Sequence, residues 1–263
     1  MDLGLRGKVA VVCGASAGMG KATALSLSGE GARVAVCSRS REALEAAARE
    51  IRSSTGGEVL AHPADVTDEG AVGAFLAEVA RRLGPPDILV NNAGGPPAGN
   101  FEETPPEAWE KAHRLTLQSA VSFCRRVAPG MKERRWGRII SITSLTVKQP
   151  SETLILSNAY RTALTAFSKT LAAELAPFGV TVNCVCPGYT DTERLMDLAE
   201  TAATKRKIAP GEIRREWERS IPAGRLGRPG EVADLITYLA SEKAGYITGA
   251  SILVDGGLVR ALF

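Results

Sequence analysis

The chain has 263 residues, of which 44% are hydrophobic and 23% are charged, so it is large and apolar enough to bury a full core. Its 32 basic and 29 acidic residues leave a net charge of only +3, which argues against a nucleic-acid partner. Five cysteines without a matching set of histidines predict reduced, buried thiols of a cytoplasmic protein and no metal site. The sequence shows no signal peptide and no apolar run of the roughly 20 residues that cross a membrane.

Short apolar runs alternate with helical patterns from one end of the chain to the other. The runs predict strands over 9–13, 33–37, 58–61, 87–90, 138–142, 180–185 and 251–254. The patterns between them predict helices over 21–29, 41–51, 69–83, 105–131, 156–177 and 231–241, and a polar helical segment over 191–222. This alternation predicts a single α/β domain over 1–263, with a doubly wound parallel sheet and helices on both faces.

A glycine-rich turn, Gly14-Ala15-Ser16-Ala17-Gly18-Met19-Gly20, joins the first predicted strand to the first helix. The first glycine permits a tight turn, and the later ones remove Cβ atoms that would block a diphosphate or the approach of helix to strand. The unpaired N–H groups at the start of a helix favour an anion. The turn therefore predicts a dinucleotide site of the Rossmann type, although its spacing is G-x-x-x-G-x-G rather than G-x-G-x-x-G.

Further polar and glycine-rich motifs follow Cys37, Val90, Ile142 and Val185, at the ends of other predicted strands. In a parallel sheet with right-handed crossovers, all these ends lie at one edge. Open α/β sheets bind their ligands at that edge, so we expect the motifs to form one site.

Taken together, four motifs resemble the short-chain dehydrogenase/reductase family along nearly the whole chain. They are the glycine turn, Asn91-Asn92-Ala93-Gly94, Pro187-Gly188, and Ile247-Thr248-Gly249 with Val254-Asp255-Gly256-Gly257. The 3-oxoacyl-[acyl-carrier-protein] reductase branch is the most similar. The resemblance implies a seven-stranded Rossmann sheet, a nicotinamide cofactor, reduction of a small-molecule carbonyl to an alcohol, and a homotetramer or dimer. It assigns cofactor binding to Gly14, Ser16, Gly18, Met19, Gly20, Ser38, Arg39, Asp65, Val66, Asn92, Ala93, Gly94, Arg161, Pro187, Gly188, Thr190 and Thr192.

The end of the second strand favours NADP over NAD. Family members that prefer NAD usually carry an acidic residue there, whereas this chain has Ser38 followed by Arg39. A serine does not repel a 2′-phosphate, and a guanidinium can pair with it. The alternative is that Arg39 only begins a solvated turn. Asp65 likewise either contacts the adenine, as the resemblance implies, or caps its own turn.

Three of the four catalytic positions depart from the family pattern. The resemblance implies a serine that binds the substrate carbonyl, a tyrosine that passes the proton, a lysine that lowers the pKa of that tyrosine and holds the ribose, and an asparagine that supports a water. Ser144 matches the serine. The other three positions hold Ser157, Arg161 and Thr116.

The replacements leave the source of the proton open. Ser157 and Arg161, four residues apart, share a helix face, so both should point to the cofactor. An arginine can hold the ribose but stays charged, and a serine is a poorer acid than a phenol. Tyr160 is a further candidate for the acid, about 60° round the helix from Ser157. Its alternative role is packing between helices or subunits.

The polar segment 192–222 corresponds to the substrate lid of the family. Its basic residues either attract an acyl carrier or form a solvated face; they are Lys205, Arg206, Lys207, Arg214 and Arg215. Two functions fit the whole sequence. The first is an NADP-dependent reductase, possible substrates including a 3-oxoacyl thioester. The second is an NADP-binding regulator or subunit partner with weak or no catalysis.

Overall fold

A computed structural model describes residues 1–262, in which seven strands form one parallel sheet in the order β3-β2-β1-β4-β5-β6-β7. Phe263, the last residue of the predicted domain, lies outside the described residues. The strands are β1 Val9–Cys13, β2 Arg33–Cys37, β3 Val59–Ala61, β4 Ile88–Asn91, β5 Gly137–Ile142, β6 Val180–Pro187 and β7 Ser251–Val254. The predicted doubly wound sheet is confirmed, and the strand order reverses between β1 and β4.

Residues 1–262 form nine α-helices around this sheet. They are α1 Gly18–Gly29, α2 Arg41–Thr55, α3 Glu69–Arg82, α4 Pro106–His113, α5 Ser119–Arg134, α6 Ile155–Leu175, α7 Glu193–Arg206, α8 Pro210–Ser220 and α9 Pro229–Ala240. None of them is long and apolar enough to cross a membrane.

Two predicted helical segments differ in detail from the structure. The segment 105–131 contains one turn of π-helix, Arg114–Gln118, between α4 and α5. The segment 191–222 divides into α7 and α8, because Lys207 takes the left-handed conformation with φ of 54° and ends α7. Hydrophobic periodicity, from which the helices were predicted, reveals neither the π-helical turn nor the left-handed Lys207.

Strands β1 to β6 are mostly buried on both faces, as expected of parallel strands covered by helices, and the edge strand β7 is half-buried. Alternate residues of β1 face opposite sides: Ala10 and Val12 join a core layer with α1, α2 and α9, while Val9, Val11 and Cys13 join a layer with α3, α5 and α6. The two layers hold the strands rigidly, so their carboxyl ends present a fixed edge to a ligand.

Candidate active site

The glycine turn is shaped by contacts that only glycine permits. Gly14 and Gly18 have φ of +58° and +55°, in the left-handed region. At Gly20, a Cβ would lie 2.2 Å from the Gly14 carbonyl oxygen. The side-chain amide of Asn92 donates to the carbonyls of Cys13 and Gly14, at 3.2 and 3.1 Å, and so ties β4 to the turn.

The same turn is a cradle for an anionic group. Helix α1 begins at Gly18, and Ala17 at its N-cap offers no side-chain acceptor to the first N–H groups. Those donors and the helix dipole therefore favour an oxyanion such as a diphosphate. Met19 and Gly94 line the cleft beside the turn, and Ser16 is a half-buried residue of the turn itself.

The residues predicted to bind the adenosine end lie at the ends of β2 and β3. Ser38 donates to the carbonyl of Ser40 at 3.3 Å, and Arg39 is exposed. The carboxylate of Asp65 accepts from the backbone N–H and the hydroxyl of Thr67, at 2.9 and 2.8 Å, so Asp65 caps its own turn. Val66 packs against the core and lines a small cavity that Asn92, Ala93 and Gly94 also line.

The end of β6 places the last predicted cofactor residues on the opposite wall. Strand β6 runs to Pro187, two residues beyond the prediction, because Cys186 and Pro187 pair with β7. Thr190 donates to the carbonyl of Gly188, at 3.3 Å. Thr192 caps α7 by accepting from the N–H of Leu195 at 3.3 Å, and its methyl would lie 3.3 Å from a Cβ on Gly18.

Ser144, Ser157 and Arg161 line one cleft together with the glycine turn. The cleft has a volume of about 1130 Å³ including its open mouth. Ser157 is buried in the first turn of α6. The hydroxyl of Ser144 accepts from the N–H of Thr146 at 3.1 Å, which leaves its proton free to bond to a substrate oxygen.

Arg161 is anchored to the end of β5. Its Nη1 donates to the carbonyls of Ile142 and Thr143, at 2.9 and 3.0 Å. Burial and the nearby charge of Arg194 lower the pKa of Arg161 to about 10, so the guanidinium stays protonated at neutral pH. With Nη1 occupied, Nε and Nη2 keep three N–H donors for a ligand.

Thr116 lies behind Arg161, in the π-helical turn between α4 and α5. Its buried hydroxyl oxygen has no hydrogen-bond partner among the described residues, and neither has Oδ1 of Asn91. Both residues line the same small cavity as Arg161. A π-helical turn is frequent at functional sites, and here it places a polar group under the cleft.

Tyr160 is not among the residues that line the cleft. Its ring packs against Trp109 and His113 of α4, at centroid distances of 6.1 and 5.7 Å. This arrangement corresponds to the packing role that the sequence left open. The structure brings Ser144, Ser157 and Arg161 together and leaves Tyr160 apart from them.

We expect Tyr160→Phe to leave the rate of carbonyl reduction unchanged, because the phenolic group packs between helices. Ser144→Ala in the same assay should lower kcat, since Ser144 alone matches the family's carbonyl-binding position. Initial rates of NADPH consumption measure both. A large loss of kcat in Tyr160→Phe with normal NADPH binding would support Tyr160 as the proton donor.

Arg194, which the sequence motifs did not single out, lines the cleft from the first turn of α7. Its Nη2 donates to the carbonyl of Pro96 across the cleft. A signal for it was present: a cation at the start of a helix opposes the helix dipole. The denser run of basic residues later in the lid is the more conspicuous feature of the sequence.

Three of the five later basic residues of the lid form ion pairs with surface groups, and the other two, Lys207 and Arg215, are exposed. Lys205 pairs with Glu103, Arg206 with Glu216, and Arg214 with both Asp191 and Glu218. This pattern corresponds to the solvated face that the sequence left as one alternative.

The seven-stranded parallel sheet and the glycine cradle are features of the Rossmann class of folds, and here a cleft lies beside the cradle. The family model for "Enoyl-(Acyl carrier protein) reductase" matches residues 14–259. The chain belongs to the short-chain dehydrogenase/reductase family, as its motifs predicted.

Three similar proteins illustrate the range of the family. The 3-oxoacyl-[acyl-carrier-protein] reductase of Aquifex aeolicus is 34% identical, over 98% of this chain and 100% of its own. L-sorbose reductase from Gluconobacter frateurii, solved with NADPH and L-sorbose, has a TM-score of 0.93 and 34% identity, with 100% of each chain covered. An NADPH-bound short-chain oxidoreductase of Pseudomonas aeruginosa PAO1 "containing an atypical catalytic center" has a TM-score of 0.87 and 36% identity, over 97% of each chain.

Proposed function

We propose that this protein is a single-domain, NADPH-dependent reductase that converts a small carbonyl compound into an alcohol. The observation that carries the proposal is the shared cleft, in which Ser144, Ser157 and Arg161 lie beside the glycine turn. The solved structures of L-sorbose reductase and of the Pseudomonas oxidoreductase hold NADPH, and the catalytic center of the second is described as atypical, which supports this choice of cofactor.

The residues present fit such a cofactor. The close approach at Gly20 and the uncapped start of α1 form a cradle for its diphosphate. Arg39, exposed at the end of β2, has no carboxylate within ion-pairing distance in residues 1–262 and is available to a 2′-phosphate.

The chemistry divides between the cofactor and the chain. NADPH, when bound, supplies a hydride to the carbonyl carbon. The hydroxyl of Ser144 donates to the carbonyl oxygen and stabilises the negative charge that develops there as the C=O π bond breaks. The Arg161 guanidinium holds the ribose hydroxyls and adds positive charge, but it gives up no proton. The proton reaches the oxygen from solvent, either directly or through Ser157, whose hydroxyl takes a proton from solvent as it gives its own to the product.

Arg39→Gln tests the choice of cofactor. Losing a hydrogen bond to a charged phosphate should raise the Kd of NADPH by about 10- to 100-fold and leave the Kd of NADH unchanged. Fluorescence titration of both nucleotides measures this. Arg41→Gln is the matched control, because Arg41 is also exposed and lies two residues further along. An equal loss of affinity for NADH would exclude a contact with the 2′-phosphate.

A second function is favoured by one specific observation. Ser157 stands where the family has its proton-donating tyrosine, and Tyr160, three residues further along, is packed against α4. This arrangement fits an NADP-binding regulator or a subunit partner with little turnover.

A single-turnover experiment separates the two functions. Protein loaded with NADPH is mixed with ketones, aldehydes, free 2-oxo and 3-oxo acids and 3-oxoacyl thioesters, and the absorbance of the reduced nicotinamide is followed. Loss of absorbance with any compound supports the reductase. Tight NADPH binding without loss across the panel supports the regulator.

The compartment and the assembly are part of the proposal. All five cysteines are free and buried, which fits the reducing cytoplasm. Half-buried apolar residues of α6, Phe167 and Leu171, line a shallow surface groove with α5, which suits a contact between copies in a homo-oligomer. Sedimentation velocity would give the number of copies.

A further inference from the structure

Arg194 is a cation inside the cleft with no anionic partner in the described part of the chain. It is half-buried, and no carboxylate of residues 1–262 lies within ion-pairing distance of it. Desolvation lowers its pKa, and only the more distant charge of Asp197 opposes that effect. Burying a charge without a partner is costly, so such a residue calls for a ligand.

Two other arginines of the lid provide an internal comparison, whereas Arg215 and Arg219 are exposed to solvent and need no partner. Arg206 and Arg214 point outward and pair with acidic residues of the surface. Arg194 instead points inward and reaches the Pro96 carbonyl on the far wall of the cleft. That single bond uses one of its five N–H donors, so four remain.

A second positive charge faces the same space. Arg161 also lacks a carboxylate within ion-pairing distance in the described residues, and the two guanidinium groups are close enough for the charge of Arg194 to lower the pKa of Arg161. Glu193, which lines the cleft mouth, is exposed to solvent. The net charge offered to a ligand inside the cleft is therefore positive.

The rest of the wall strengthens any ion pair formed here. The cleft that Arg194 lines is also lined by three leucines, Leu195 and Leu198 of the same helix and Leu154 just before α6. Apolar walls lower the local dielectric, so an anion bound between the arginines is attracted more strongly than at a surface.

We propose that Arg194, with Arg161 opposite, selects an oxo acid: a carbonyl compound that carries a free carboxylate near the carbonyl reduced at Ser144. This inference rests on the proposed reductase function and names its substrate class. The bidentate geometry of a guanidinium matches a carboxylate, and a neutral ester or thioester of the same compound offers no charge to pair. Arg194 is then a specificity-determining residue.

The cofactor diphosphate is the other source of anionic oxygens at this site. Thr192, two residues before Arg194, lies against Gly18 of the glycine turn. The start of α1 already offers N–H donors to the diphosphate, which favours the substrate carboxylate as the partner of Arg194. Measuring the KM of the acid and the Kd of NADPH in the same variant separates these two anions.

The test compares 2-oxo and 3-oxo acids with their methyl esters, acetoacetate and methyl acetoacetate among them. For the preferred acid, Arg194→Gln should raise KM by about 10- to 100-fold, leave the rate with the ester unchanged, and leave the Kd of NADPH unchanged. Arg194→Lys, which keeps the charge, should recover part of the loss. Arg215→Gln is the matched control, an exposed arginine of the same lid.

Three results would overturn the inference. They are equal use of acids and esters, an Arg194→Gln effect that falls on the Kd of NADPH, and equal effects of Arg194→Gln and Arg215→Gln.

A binding measurement keeps the inference separate from the proposed function. Acetoacetate and NADP⁺ are both oxidised and cannot react with each other, so calorimetry of the NADP⁺-loaded protein reports carboxylate binding without turnover. Binding that Arg194→Gln abolishes, in a protein that reduces nothing, would refute the reductase and leave the anion site standing. Absence of binding for every oxo acid of the panel would refute the anion site, whatever the protein reduces.

Discussion

Introducing a phenol and a lysine, through Ser157→Tyr with Arg161→Lys, should raise kcat for carbonyl reduction by about 10²- to 10⁴-fold, the usual contribution of general acid catalysis. Both residues line the cleft, so the new groups enter the site where Ser144 lies. The lysine cation lowers the pKa of the nearby phenol and so improves it as a proton donor.

The single variants show which group limits the rate. Ser157→Tyr alone should give a smaller gain, because Arg161 supplies positive charge but is tied to the carbonyls of Ile142 and Thr143. Arg161→Lys alone should give none, since it adds no proton donor of suitable pKa.

Thr162→Tyr is the control for this series. It adds the same phenol to α6 at an exposed position and should leave kcat unchanged. If the double variant binds NADPH as tightly as the parent and kcat does not rise, proton donation is not the deficiency of this site, and the regulator function gains support.

The sequence was a good guide to the sheet and to its functional edge. Strands β1, β2 and β7 have the predicted bounds, because a short apolar run between polar turns is typical of a buried strand. The i, i+4 spacing predicted that Ser157 and Arg161 share a face of α6, and both residues line the cleft. Local periodicity decides such features.

The sequence was a poorer guide where tertiary contacts decide. The angle of Tyr160 on its helix fitted either role, and only the position of Trp109 and His113 on α4 shows that the ring packs there. The sequence carried one sign of Arg194, a cation at the start of a helix, but the burial of its charge and its bond to the Pro96 carbonyl depend on residues about a hundred positions away. Hydrophobic patterns carry no such information.

Gly20→Ala should abolish measurable NADPH binding and lower the Tm. The added Cβ would lie 2.2 Å from the Gly14 carbonyl oxygen and 2.8 Å from the side-chain nitrogen of Asn92. Backbone atoms cannot move aside as a flexible side chain can, so α1 must shift away from the turn. Overpacking of this kind costs about 1–3 kcal/mol of folding free energy.

The shift of α1 should weaken NADPH binding more than it lowers the stability of the fold, because the close approach of Gly20 to Gly14 holds the start of α1 against the turn. Asn92 bonds to Cys13 and Gly14 through the nitrogen that the new Cβ would approach.

Gly29→Ala is the matched control: it changes the same residue type in the same helix, where a Cβ meets no atom within 4 Å. It should leave NADPH binding unchanged and the Tm equal or higher, since alanine favours a helix by about 1 kcal/mol. Calorimetric titration and thermal melts of both variants would decide. A Gly20→Ala protein that binds NADPH like the parent would show that the diphosphate does not depend on the close approach of α1 to the turn, and the cofactor site assigned here would have to lie elsewhere on the sheet edge.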